Sequence, residues 1–216
     1  PMLGLPPLAG AVKGTAQAKL HDRSLELATA LEGSGLRGFG AALDQISLAV
    51  DAAERAGQPS FKVKLGARGL GFKGQRFAQL SLDASGSHDT VQLTAAGQGP
   101  QQVSFRLAVS GRPAFAQPAG VTSAELRSLD AEVKELRLSQ AERTLSLEQP
   151  ARVLINLHSA PIIDLEHLAL ALGEQRLSLD AHYETAGQKL TARAAAHGLD
   201  VKQLLAVAGL EVPVPS

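Results

Sequence analysis

The sequence predicts an all-β chain, a long antiparallel meander with one short helix at its C-terminal end. Apolar and polar residues alternate in nearly every segment after residue 42. Val63, Leu65 and Ala67 stand against Lys62, Lys64 and Gly66, and Val103, Phe105, Leu107 and Val109 stand against Gln102, Ser104, Arg106 and Ala108. A period of two sends successive side chains to opposite sides of a strand, so each segment carries one apolar and one polar face. The segments are separated by Gly, Pro, Ser or Asp, residues that make turns.

In chain order, alternation places strands near residues 11–20, 24–31, 43–52, 60–67, 76–84, 89–96 and 101–110. A second set falls near 125–138, 142–148, 151–157, 163–172, 175–183 and 188–196. Gln58-Pro59, Ser85-Gly86-Ser87, Gly97-Gln98-Gly99-Pro100, Gly111-Arg112-Pro113 and Ala186-Gly187 mark breaks between them. The three glycines of residues 35–42 suit a short helical turn. Pro113 to Gly120 reads as a loop, the one seam in a chain otherwise taken as a single segment, residues 1–216. Asp200 is placed to cap a helix through Leu204, Leu205 and Val207 that ends at Gly209, ahead of Pro213 and Pro215. Gly209-Leu210 and the following prolines echo Gly4-Leu5-Pro6-Pro7, the expectation for one period of a longer repeat array. The apolar stretch Pro1 to Val12 lacks a basic start and contains Pro6 and Pro7, so it reads as the interior of a longer chain rather than a signal peptide.

Composition removes several classes of function. The 216 residues hold 21 Lys+Arg against 21 Asp+Glu, without a run of either sign. A nucleic-acid partner is not expected, because phosphate-backbone binding needs clustered basic charge. Aromatic residues are 3% of the chain, with no Trp, so stacking platforms for bases lack their parts. No Cys is present, which excludes a disulfide framework and a thiolate metal site. No apolar run reaches the roughly 18–20 residues of a membrane-spanning helix. No cofactor is expected.

Gly69-Leu70-Gly71-Phe72-Lys73-Gly74 matches G-x-G-x-x-G, yet a dinucleotide site needs a helix after it, and Phe77, Leu80, Leu82 and Ala84 follow mostly at strand spacing. A glycine loop or bulge is the expectation. His158, Asp164, Glu166 and His167 have metal-ligand chemistry, but Asp164 and Glu166 share the face opposite Leu165, where solvated residues belong, so no metal site is expected. Ser87, His88 and Asp89 have the residue types of a catalytic relay, but neighbours on a turn cannot aim at one another as a base relay must. Tyr183, Phe72 and Phe115 are isolated and make no aromatic cage.

What remains is the apolar stripe: Val63, Leu65, Leu80, Leu82, Val91, Leu93, Val103, Phe105, Leu107, Val109, Leu145, Leu147, Val153, Ile155, Leu170, Leu172, Leu177 and Leu179. Alternation alone favours the core of a closed sandwich. About thirteen strands stacked ~4.8 Å apart make a sheet roughly 60 Å long. A helix of about ten residues spans only ~15 Å and cannot cover it. The face therefore closes on itself, or stays open as a groove suited to acyl chains, which need burial and offer nothing to hydrogen-bond. An arginine at Leu107 or Ile155 is expected to put several kcal/mol in the path of such a chain.

Three stretches resemble the TamB-like branch of the AsmA-like family of bacterial envelope proteins. They are Leu80-Ser81-Leu82-Asp83-Ala84-Ser85-Gly86-Ser87-His88-Asp89-Thr90-Val91-Gln92-Leu93, Leu145-Ser146-Leu147-Glu148-Gln149-Pro150-Ala151, and Gly198-Leu199-Asp200-Val201-Lys202-Gln203-Leu204-Leu205. The chain departs from that pattern in lacking the Trp residues usual near the middle of the unit. The resemblance implies a long curved antiparallel β-groove, the β-taco, in a periplasmic protein anchored in the inner membrane. It implies phospholipid as cargo and an outer-membrane barrel of the Omp85 class as partner. The other reading of the residues is a closed β-sandwich or β-solenoid scaffold that binds another envelope protein through its edge strands. An enzyme comes third, for want of a converging carboxylate pair.

Overall fold

The computed structural model describes residues 9–21, 24–38, 41–55, 58–72, 75–116, 125–157 and 160–198. They form β1 (Ala9–His21), β2 (Ser24–Gly38), β3 (Ala41–Arg55), β4 (Gln58–Phe72), β5 (Gln75–Ser87), β6 (Val91–Gln98) and β7 (Ser104–Ala116). After these come β8 (Glu125–Gln140), β9 (Arg143–Leu147), β10 (Ala151–Asn156), β11 (Ile162–Leu172), β12 (Gln175–Glu184) and β13 (Lys189–His197). All thirteen strands belong to one antiparallel sheet in which each strand up to β8 pairs with its sequence neighbours. β9 and β10 then share a single lane between β8 and β11, interrupted at Glu148-Gln149-Pro150, and β12 and β13 complete the sheet. The all-β meander read from alternation is the observed architecture. The expected C-terminal helix lies outside the described residues.

Ala and Leu are good helix formers, and β3 in particular is rich in both. Its apolar residues Ile46, Leu48, Val50 and Ala52 nevertheless repeat every second position, and pairing on both sides overrides the local preference. Register ties the lanes together. Leu31 faces Leu48, Leu48 faces Leu65, Leu65 faces Leu82, Leu82 faces Ala95, Ala95 faces Leu107, and Leu107 faces Leu136. Directly opposed residues share a face, so this is one continuous aliphatic row across the lanes.

The sheet is a single layer. Val103, Ala131, Ala151, Leu170 and Leu172 make up the buried apolar set among the described residues, and no polar or charged residue is buried there. The chain exposes 15098 Å², against about 9,400 Å² for a compact monomer of this mass. A closed sandwich would hide the stripe between two layers. Here most of the stripe is only half covered, by its own neighbours in the sheet.

Three local expectations are corrected. Gly35 and Gly38 lie in β2 rather than in a helical turn, because β2 and β3 keep pairing through Ser34–Gln45, Leu36–Leu43 and Gly38–Ala41, with Gly35 taking φ +59 between the first two pairs; Gly40 lies outside the described residues. Pro113 to Ala116 belong to β7 rather than to a loop. β6 begins at Val91, opposite Gly111, so past Gly111 β7 has a partner among the described residues on the β8 side alone, the edge-like setting in which a strand tolerates proline. Residues 117–120 of that expected loop lie outside the described residues. Residues 101–103 are not strand: Pro100–Gln102 form a 3-10 turn with positive φ at Gln101 and Gln102, and β7 starts at Ser104.

Candidate functional site

The register carries the expected stripe onto one face. A second row runs Val50, Val63, Ala84, Leu93, Val109, Val133, Ala151. A third runs Gly33, Ile46, Ala67, Leu80, Gly97, Phe105, Leu138, Leu145, Leu172. A fourth runs Phe61, Gly86, Val91, Gly111, Ala131, Val153, Leu165, Ala181. Towards β13, Leu147 faces Leu170 and Leu170 faces Leu177, Leu168 faces Leu179, and Ile155 faces Ile163, which faces Tyr183. No charged residue stands in any of these rows.

Val103 is the exception. It lies in the turn before β7, donates its backbone N–H to the Pro100 carbonyl oxygen at 3.1 Å, and sits against Gly99. The structure also adds residues that the sequence reading left out of the face: Leu25, Leu27, Leu31, Ile46, Leu48 and Val50 from β2 and β3, and Leu129, Val133, Leu136 and Leu138 from β8. The face is most open at its two ends, where Val12 is 65% exposed, Leu20 79% and Leu190 66%.

The surface is corrugated by glycine. The Phe61 ring lies over Gly86, and the Phe105 ring and the Leu80 side chain lie over Gly97, where an added Cβ would stand 2.7 Å from Leu80 Cδ2. These aromatics fill positions a larger residue would occupy. Charge returns at the rim. Asp44 of β3 reaches across β4 to Arg76 of β5, with Nη2 to Oδ2 at 2.6 Å, and the carboxylate passes over Gly69, which is at φ +65.

The opposite face is polar and knitted by ion pairs. Arg152 donates Nε and Nη2 to the two carboxylate oxygens of Asp130, both at 2.9 Å, and stands 3.5 Å from Glu166. The Arg152 hydrogen bonds hold the Asp130 carboxyl below its ordinary range, and Asp130 in turn holds the Arg152 guanidinium more firmly protonated. Glu26 is lowered by its hydrogen bond from Arg55 at 2.6 Å. His182 contacts Asp164 through Nδ1 at 2.5 Å and Glu184 through Nε2 at 3.1 Å. Both ring nitrogens donate only in the imidazolium form, and the two carboxylates, Asp164 first, raise the His182 pKa. Each pair is solvent-exposed and screened by water, so its contribution is small. Small residues leave hollows on this face, one of about 600 Å³ lined by Ser34, Gln45, Ser47, Gly66, Arg68, Gln79 and Ser81 among others.

The remaining motifs resolve into ordinary structure. Gly69 to Phe72 end strand β4, and the next described residue, Gln75, opens strand β5, so no helix N-terminus faces the glycines. Asp164 and Glu166 share the polar face but turn to different partners, His182 and Arg152, while His167 stands 3.7 Å from Asp180. Among the described residues no metal-holding cluster forms, and His158 lies outside them. Ser87 Oγ meets Thr90 Oγ1 at 3.2 Å while His88 Nδ1 meets Asp89 at 2.8 Å, so no relay links Ser87 to His88. Phe115 is not isolated, since its ring lies 5.5 Å from that of His88. No helix among the described residues is long and apolar enough to cross a membrane.

No family model, curated protein or solved structure matches the chain.

Proposed function

We propose that the chain works without covalent chemistry as an aliphatic-binding β-groove that conducts phospholipid acyl chains between inner and outer membranes. The observation that carries this reading is the uncovered apolar face: rows of Leu, Val, Ala and Gly cross the sheet without a charge, and no second layer among the described residues lies on them. Such a surface rewards burial of hydrocarbon and offers no fixed polar contact that would stop a chain from sliding. Polar head groups would stay in water at the rim. On the resemblance to TamB-like and AsmA-like proteins, we read this activity as periplasmic, in an inner-membrane-anchored protein that partners an Omp85-class barrel and assists outer-membrane protein assembly.

The test is native mass spectrometry of the chain purified from bacteria without strong detergent, beside Leu107→Arg and Ile155→Arg. Co-purified phospholipid that is depleted in the folded variants is the expected result; a folded, lipid-free wild-type chain would overturn it. A second reading has its own observation. Among the described residues β1 pairs with β2 alone and β13 with β12 alone, which leaves the outer backbone groups of both edges to an incoming strand of another envelope protein. Thr191→Pro in β13 would then abolish capture of that partner and leave lipid binding intact.

A further inference from the structure

On the polar face two arginines of neighbouring strands stand against each other. Arg106 of β7 and Arg137 of β8 are directly opposed in register, both exposed. Opposed residues of neighbouring strands lie with Cα atoms about 4.5–5.5 Å apart, and like charges there repel. Elsewhere on this face arginines meet carboxylates: Arg55 with Glu26, Arg152 with Asp130, Arg176 with Glu148. Among the described residues neither Arg106 nor Arg137 forms an ion pair. The nearest carboxylate by register, Glu135, is opposite Ala108.

The surroundings supply neutral donors. Ser104 and Ser139 oppose each other in the adjacent row, Gln98 faces Ser104, and Ser146 faces Arg137. Beside Arg106 the floor drops at Ala96 into a hollow of about 280 Å³ that Gln98, Ser104, Ser81 and Gln79 also line. Two guanidinium groups bring up to about ten N–H donors, and hydroxyl and amide groups add more, while Glu135, on the same face, pairs with neither arginine. We propose that Arg106 and Arg137 form a binding site for a phosphate group. A tetrahedral dianion can bridge two adjacent guanidinium groups and still accept from the flanking hydroxyls, and it removes the like-charge repulsion that the unliganded sheet carries. The site lies on the face opposite the aliphatic rows, so it is independent of the lipid reading.

The test is calorimetric titration of the 216-residue chain in phosphate-free buffer at low salt with three probes: inorganic phosphate, dihexanoyl phosphatidic acid below its micelle concentration, and a triglutamate peptide. Inorganic phosphate is expected to bind saturably, and Arg106→Gln or Arg137→Gln to weaken it about tenfold or more, while Arg193→Gln on β13 leaves it unchanged. Both variants should fold, because each removes a repulsion; phosphate should raise the melting temperature of the wild type and not of either variant. If phosphatidic acid binds no tighter than inorganic phosphate, the site reads the phosphate group alone; if it binds more tightly and is lost in the same variants, a lipid phosphate is the source. Absence of saturable phosphate binding, equal binding by the variants, or tighter binding of triglutamate, which marks a docking site for an acidic protein, would each overturn the proposal.

Discussion

A charge at Leu107 is the sharpest probe of the aliphatic face. The residue stands mid-row between Ala95 and Leu136 and is half-buried. A hydrocarbon chain crossing that lane lays roughly three methylenes over its ~4.8 Å width. Full burial contributes about 0.8 kcal/mol per methylene, about 2.4 kcal/mol for the lane. The sheet is a single layer, so the chain loses water from only about half its circumference, which leaves about 1.2 kcal/mol, or about sevenfold in affinity. This is smaller than the several kcal/mol expected from the sequence for an arginine in the path, because arginine on an open face can lift its charge into water. Aspartate is too short to do so. Leu107→Asp should therefore weaken binding more than Leu107→Arg, and the arginine variant should lose about sevenfold or less. The loss of a half-buried leucine itself lowers stability by about 1–2 kcal/mol, which a domain stable by about 5–15 kcal/mol survives. Titration of a fluorescent fatty acid into each folded variant measures the effect. Unchanged affinity in Leu107→Asp, or a larger loss in Leu107→Arg than in Leu107→Asp, would refute the argument.

Other consequences follow from single contacts. Gly97→Val places a side chain into the Phe105 ring and Leu80, and should lower stability by about 1–3 kcal/mol, read from the urea midpoint. Gly69→Ala forces a left-handed residue to carry a Cβ against the Asp44 carboxylate; about 1–2 kcal/mol of stability should go, together with the Asp44–Arg76 pair, and an unshifted urea midpoint would count against the φ +65 backbone. His182 has a raised folded pKa, so its contribution is fully present below the unfolded value near 6.5 and is lost as pH rises through the folded value. The melting temperature of wild type should thus exceed that of His182→Gln at pH 6 and converge on it at higher pH; a gap that widens with pH would reverse the assignment.

The strand count and order were legible because a period of two survives any composition, even the Ala- and Leu-rich run of β3. Strand length was less so. β2 continues past Leu31 to Gly38, but Gly33 occupies an apolar-face position and Glu32 and Ser34 flank it, so the alternation fades before pairing with β3 ends. β8 shows a different limit. Between Ala108 and Val109 the register shifts, so Val133 and Leu136 face the same way although three residues separate them, and β11 does the same between Leu165 and Leu168. A spacing of three imitates a helix, and nothing local reveals the bulge that restores the face. Val103 failed for the opposite reason: it keeps the alternation with Phe105, but Pro100 lacks an amide hydrogen and the chain turns through Gln101 and Gln102 before β7 begins. The opposition of Arg106 and Arg137 depends on the β7–β8 register, which a bulge within the same pair makes unreadable from sequence.

The two proposed surfaces share one backbone. Arg106 and Leu107 are neighbours in sequence, yet the pleat sends one toward Arg137 and the other toward Leu136, on opposite sides of a wall one strand thick. In a sandwich or a closed barrel one side of that wall would be spent on the core, and a neighbouring residue could reach solvent on the other side alone. Here the small buried set leaves both sides open. The stability must then come from the ladder of backbone hydrogen bonds and from cross-strand pairs rather than from a central core. It follows that polar-face substitutions can alter anion binding without touching hydrocarbon, and aliphatic-face substitutions the reverse, provided the ladder between them is kept.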